Sequence, residues 1–278
     1  MQQAIPSRTA LRVALRRAAH QLYDKPIVFN DPIAVPILGP TYAEELRRTP
    51  LEKPYSIAMR AHLVARSRYA EDNLARAVAS GVKQYVLLGA GLDTFAYRNP
   101  WPQLRVFEVD HPATQQWKRE LLQASATPIP ENLTYAPVDF ESESLPERLK
   151  QSGFDATQPT YFAWLGVVPY LTLPAFRATV AFIAAQPAGS GITLDYGQPR
   201  SALPFLEQLA HDSLADRVKL AGEPFQLFFT PQEIAAEFSA FHSIEDLGGV
   251  EINPRYYSNR KDELKIRGSA GRFFSAWL

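Results

Sequence analysis

The chain has 278 residues, with 29 lysines and arginines against 29 aspartates and glutamates and a pI near 7.0. Nothing in that balance points to nucleic acid or an acidic membrane as a partner, and the lack of cysteine excludes disulfides, thiol catalysis and thiolate metal sites. No apolar stretch nears the roughly 18 residues a membrane span requires, so the expectation is a cytoplasmic protein of one large α/β domain.

The first 25 residues carry Arg8, Arg12, Arg16 and Arg17 with no acid before Asp24. A transit peptide shares that pattern, but Leu11, Leu15, Ala18 and Leu22 repeat at helical spacing, and a packed amphipathic helix is expected. Short helices over 31–38 and 41–48 follow, then a long one over 56–80 with Ile57, Ala61, Val64, Leu74 and Val78 facing inward. On it, Arg68 stands four residues before Asp72, a spacing that pairs them on a solvated face.

Tyr85-Val86-Leu87-Leu88-Gly89-Ala90-Gly91-Leu92-Asp93-Thr94 is the stretch around which the rest is organised. Apolar residues running into Gly-Ala-Gly read as a strand buried on both faces. Its carboxyl end opens where α/β sheets hold their ligands, and the glycines let the main chain come close to a bound molecule. A dinucleotide fingerprint needs a third glycine where Thr94 stands, and Asp93 would repel a pyrophosphate. S-adenosylmethionine, cationic and free of phosphate, tolerates that aspartate. Asp93 as a helix N-cap is compatible with the electrostatic role. The second strand, 104–110, ends at Asp110, 21 positions beyond Gly89 and placed to accept hydrogen bonds from both ribose hydroxyls. Glu108 competes for the role, but Asp110 sits at the strand end.

A helix over 113–125, strands over 133–136, 161–165 and 192–195, and helices over 174–186, 203–220 and 231–238 continue an alternation that implies a parallel sheet with right-handed crossovers. Final strands are expected over 242–246 and 263–266, with Phe273, Phe274 and Trp277 packing on a neighbouring helix. Asp139 and Phe140 follow the third strand, where an acid can accept the adenine amino group and a ring can line the base pocket. A turn aspartate capping the next helix is the competing reading of Asp139. His20, His62, His111, His211 and His242 lack the spacing of a metal site, so no metal is expected.

The string Leu88-Gly89-Ala90-Gly91-Leu92-Asp93-Thr94-Phe95-Ala96-Tyr97-Arg98, followed by Val106-Phe107-Glu108-Val109-Asp110-His111-Pro112, resembles the leucine carboxyl methyltransferase family. Within it, the similarity is greatest to a bacterial branch of S-adenosylmethionine-dependent methyltransferases. Upstream it extends through Arg8-Thr9-Ala10, Arg17-Ala18-Ala19-His20-Gln21 and Asn30-Asp31-Pro32. Downstream it takes in Pro137-Val138-Asp139-Phe140 and the loop from Trp164 to Leu171, so it covers most of the chain.

The resemblance implies a class I, Rossmann-like methyltransferase fold: a mostly parallel seven-stranded sheet with helices on both faces and an N-terminal helical cap. Residues 1–278 would form one domain, 1–80 the cap and lead-in helix and 81–278 the core. It also gives Arg66 the cofactor's carboxylate and brings Arg17 or His20 near the ligand. Expected cofactor contacts are therefore Arg66, Gly89, Ala90, Gly91, Asp110, Asp139 and Phe140. Eukaryotic members carry a glutamate where this chain has Leu165, so one of their cofactor contacts is lost here.

Methyl transfer from a sulfonium is an in-line displacement with a neutral leaving group. The protein has to hold the nucleophile at roughly 3 to 3.5 Å and exclude water. A carboxylate acceptor needs no base, whereas a hydroxyl does; His20, Tyr170 and Tyr196 are the candidates, and no catalytic residue is assigned. The leading expectation is an O-directed methyltransferase acting on a carboxylate or hydroxyl of a small molecule, as a monomer or homodimer. The alternatives are an NAD-dependent oxidoreductase and a non-catalytic module that binds S-adenosylmethionine.

Overall fold

Apolar strands alternating with amphipathic helices can bury their faces only by stacking a sheet between helix layers. The computed structural model, which describes residues 8–49, 51–139, 143–220, 222 and 224–278, has that arrangement. Strands β1 (Gln84–Leu88), β2 (Arg105–Asp110), β3 (Leu133–Pro137), β4 (Thr160–Trp164), β5 (Gly191–Gly197), β6 (Ser243–Leu247) and β7 (Gly271–Trp277) form one sheet in the order β3-β2-β1-β4-β5-β7-β6. β1 to β5 run parallel, and β7 is antiparallel to both β5 and β6. β1 and β4 are buried at every position, which is why they read as unbroken apolar runs.

The helices are α1 (Arg8–Tyr23), α2 (Gly39–Arg48), α3 (Pro54–Ala79), α4 (Pro112–Ala124), α5 (Leu145–Gln151), α6 (Leu173–Ala184), α7 (Phe205–Leu220), α8 (Pro231–Glu237) and α9 (Gly249–Tyr256). Side chains alternate across a strand, so β1 feeds two cores. Val86 and Leu88 join Leu149 of α5 and Phe176 and Ile183 of α6, while Tyr85 and Leu87 join Leu74 and Ala77 of α3 on the other face. Against the carboxyl end of the sheet, α1 lays Ala14, Ala18 and Ala19 over Ile37, Leu38 and Leu46.

Some elements differ from expectation. The helix expected over 31–38 is a turn ending in a 3-10 segment, Pro36–Leu38, because Pro36 has no amide to continue a helical ladder. No strand forms over 263–266. Leu264 and Ile266 are buried and alternate with charged residues as a strand would, but they pack with α3 and α9. The last strand is instead β7, which carries Phe273, Phe274 and Trp277. Phe273 enters the core with Ala61 and Tyr69, and Phe274 the opposite core with Phe238, as adjacent positions of a strand between two layers must. α9 went unforeseen because Pro254 inside it masks the helical signal.

Candidate functional site

Between β1 and β4 the strand order reverses, and a cavity of about 390 Å³ opens there. Its wall comprises the loop from Leu88 to Asp93, Asp110 and His111 at the end of β2, Leu165, Gly166, Val167 and Tyr170 after β4, and Arg66 and Ser67 of α3. Thr9, Ala10, Val13 and Arg17 of α1 close it from above. The volume suits one nucleoside-sized ligand. Gly89 has φ +67, and a β-carbon there would lie 2.4 Å from Val167 Cγ2, so only glycine lets the loops after β1 and β4 meet.

The donors of the glycine loop are committed within the protein. The Gly89 and Ala90 amides donate to the Val109 carbonyl at 2.8 and 3.0 Å, and the Asp93 amide to that of Ala90 at 2.8 Å. The Gly91 amide donates to Asp110 Oδ2 at 2.6 Å. In place of the expected turn into a helix, the chain makes only a 3-10 turn, Phe95–Arg98. A pyrophosphate site offers free amides at a helix N-terminus; here the amides of both glycines are already taken and no α-helix follows the loop. Asp93 Oδ1 caps the turn by accepting from the Phe95 amide at 2.7 Å, and its Oδ2 lies 3.4 Å from Arg17 Nη1. Its charge is thus offset from α1, and the committed amides, more than a bare anion, make the loop unsuited to phosphate.

Asp110 braces this loop. Oδ2 takes the Gly91 amide and Oδ1 the His111 amide at 2.7 Å, and the Thr114 hydroxyl also bonds to this carboxylate. Burial raises the pKa of this carboxyl, against the pull of the two amides. The competing Glu108 lies in the core with Oε2 2.7 Å from Lys118 Nζ, away from the cavity wall. Burial pushes it up to about 7, against the attraction of Lys118.

Two buried guanidinium groups reach the wall. Arg66 Nη1 donates to Asp195 Oδ2 at 3.0 Å, and its buried Nε has no hydrogen-bond partner. Arg17 is bound to Asp31 and Thr94, with Nε likewise buried and unpartnered. Burial opposes the charge of Asp31, yet Arg17 and Arg98 outweigh it and hold that carboxyl below the ordinary range.

Of the expected contacts, Arg66, Gly89, Ala90, Gly91 and Asp110 meet on this cavity. Asp139 does not line it; its amide donates to Glu143 Oε2 at 2.8 Å. Phe140 lies outside the described residues. Among the three candidate bases only Tyr170 reaches the wall. His20 is buried with Nδ1 2.9 Å from Asp24 and Nε2 accepting the Val28 amide at 3.0 Å, and the Tyr196 hydroxyl donates to Asp246 at 2.9 Å. Both hold the fold together instead.

Asp195 and the segment carrying Gly222, Pro224 and Gln226 were missed. An acid ending an apolar strand was a usable signal for Asp195. Nothing local announces the segment, which the Gln226 amide pins to the Pro169 carbonyl at 2.7 Å.

The sequence profile of the family described as leucine carboxyl methyltransferase matches residues 10–184. The chain belongs to the leucine carboxyl methyltransferase family. YktD of Bacillus subtilis (strain 168), provisionally named an S-adenosyl-L-methionine-dependent methyltransferase, is 35% identical over a 288-residue alignment covering 93% of each chain. A similarly named protein of Mycobacteroides abscessus is 39% identical over 169 residues, 59% of this chain and 55% of its own. The fold is similar to that of a provisionally named methyltransferase from Thermobifida fusca YX, with TM-score 0.56 at 18% identity over 95% of this chain and 93% of that one.

This leucine carboxyl methyltransferase family member is an S-adenosylmethionine-dependent methyltransferase, and S-adenosylmethionine is its cofactor. The oxidoreductase alternative is not favoured. The cavity fits the cofactor: its volume, the carboxylate at the end of β2 and the unpartnered guanidinium Nε–H groups match a nucleoside bearing a carboxylate. Among the described residues no helix is long and apolar enough to cross a membrane, and no three His, Asp or Glu side chains are grouped to hold a metal ion.

Proposed function

We propose that this enzyme methylates an oxygen of a small molecule, a carboxylate or hydroxyl, in the crevice between β1 and β4. Bound S-adenosylmethionine supplies an electrophilic methyl on a sulfonium. Around it, the backbone of Gly89, Ala90 and Gly91 allows close approach, Asp110 accepts from the ribose hydroxyls and Arg66 holds the carboxylate with a charge-assisted bond. The family resemblance assigns Asp139 and Phe140 to the adenine, although Asp139 does not line the cavity wall among the described residues. Residues 1–80 act as cap and lead-in helix and 81–278 as the core of one domain. The position of α1 over the cavity supports that division, and its cover excludes water from the reacting atoms.

The observation that carries oxygen as the acceptor is the make-up of the wall. Its ionisable side chains among the described residues are Arg17, Arg66, Asp93, Asp110, His111 and Tyr170. Asp93 and Asp110 accept backbone amides, and His111 Nδ1 caps α4 by accepting from the Ala113 amide at 3.2 Å. Tyr170 is the candidate base for a hydroxyl on this wall. A carboxylate, already an anion, needs no proton removed, and the family's description names a carboxyl group.

The test is incubation with S-adenosylmethionine carrying a tritiated methyl and a panel of small carboxylic acids, phenols and amines. A methyl ester releases labelled methanol in mild alkali, whereas an aryl ether or an N-methyl product keeps its label. Alkali-labile product from a carboxylic acid is expected. Label that resists alkali with every acceptor overturns the carboxylate reading, and label on nitrogen overturns O-direction altogether.

A further inference from the structure

We infer that Asp195 is a positioning residue for cofactor recognition, aiming Arg66 at the cofactor's carboxylate and fastening the loop after β4 to that arginine. This rests on the assignment of Arg66 to the carboxylate.

Asp195 stands near the end of β5, buried, with both oxygens engaged. Oδ2 accepts from Arg66 Nη1 at 3.0 Å, and Oδ1 accepts from the Gly166 amide at 2.5 Å. His62 Nε2, also on α3, lies 3.9 Å from Oδ2. Burial works against the charge, but Arg66, His62 and the Gly166 amide outweigh it and hold the carboxyl down at about 2. It is an anion at any pH where the enzyme works.

A guanidinium is a planar fork, so fixing one tine fixes the direction of the others. With Nη1 held by Asp195, the buried Nε of Arg66 is left as a donor without a partner on the cavity wall. The same tine lies against bare backbone. Gly166 has φ +73, and a β-carbon there would sit 2.5 Å from Arg66 Nη1. The amide of that same glycine goes to the same carboxylate. Three elements, α3, β5 and the loop after β4, therefore converge on one side chain. The loop carries Leu165, Val167 and Tyr170 to the cavity, so Asp195 joins the cofactor's arginine to the acceptor side as one unit.

Substituting Asp195→Asn keeps the volume and one acceptor oxygen but removes the charge that orients the fork. Two ligands separate a positioning role from a merely structural one: S-adenosylhomocysteine, which has the amino-acid carboxylate, and 5′-methylthioadenosine, which lacks it. Titration calorimetry should show D195N losing about tenfold in affinity for the first, the worth of one weakened charge-assisted bond, and about twofold or less for the second. Arg66→Gln should abolish the same preference. If R66Q loses the preference and D195N keeps it, the positioning role is overturned and the assignment of Arg66 stands. If both variants keep it, the assignment of Arg66 fails and the inference with it. A D195N loss equal for both ligands marks Asp195 as structural and also overturns the inference. Should D195N not fold, Asp195→Glu retains the charge but displaces it by one methylene; a several-fold loss of preference is expected, and an unchanged preference overturns the proposal.

Discussion

Replacing Asp110 with alanine removes the acceptor that holds the Gly91 amide at 2.6 Å and the His111 amide at 2.7 Å. Both donors lie at the cavity wall, where water can replace the carboxylate, so the loss of stability should be near that of one charge-assisted bond, about 1.5 to 3 kcal/mol. For a chain of this size that lowers Tm by roughly 3 to 5 °C. On the proposed assignment of Asp110 to the ribose, the variant also loses its bonds to two hydroxyls of the cofactor. One such bond corresponds to about tenfold in Kd, and two that share a carboxylate, short of additive, to about 10- to 100-fold. Calorimetry with S-adenosylhomocysteine and with an analogue lacking the ribose hydroxyls separates the two effects. The native chain should prefer the hydroxylated ligand, and D110A should bind both alike. A variant that keeps the full preference would show that the hydroxyls are read elsewhere and that Asp110 only braces the loop.

At Gly89, alanine places a β-carbon 2.4 Å from Val167 Cγ2 in a left-handed backbone, so G89A should lose about 1 to 3 kcal/mol in urea unfolding and bind S-adenosylhomocysteine more weakly. Native-like values for both would mean that the two loops do not touch in solution. Lys118→Met leaves the fully buried Glu108 without its cation while Oε1 already lacks a partner, a change of about 3 to 5 kcal/mol. Adding Glu108→Leu to that chain should restore most of the loss, and a second drop instead would refute the account of the pair. Asp195 has its pKa lowered from 3.8 to about 2, so its contribution is present above about pH 4 and lost as pH falls toward 2. Stability measured between pH 4 and 2 should therefore fall less steeply for D195N than for the native chain, and equal slopes would contradict the ion pair with Arg66.

What the sequence made legible follows from burial and from chain ends. β1 could be read because burial on both faces leaves no polar interruption, and Asp110 because an acid followed by His111-Pro112 closes the next strand. Arg66 and Arg68 looked alike as positions on one helix. Packing separates them: Arg66 turns inward to Asp195, and Arg68 pairs with Asp72 on the exposed side at 2.8 Å. The network of Arg17, Asp31, Asp93, Thr94, Arg98 and Glu71 fastens α1 to the glycine loop across separations of up to 77 residues, and no local pattern announces it. β7 was hidden for a related reason. Two adjacent phenylalanines look like a patch on one surface until the sheet places them in opposite cores.

A crystal structure of the chain grown with S-adenosylhomocysteine tests the placement of the site most directly. The ribose hydroxyls should lie on Asp110, the carboxylate within hydrogen-bond reach of Arg66, and the sulfur toward the loop that carries Tyr170. A ligand seated away from the end of β1, or one whose hydroxyls and carboxylate avoid Asp110 and Arg66, would contradict it.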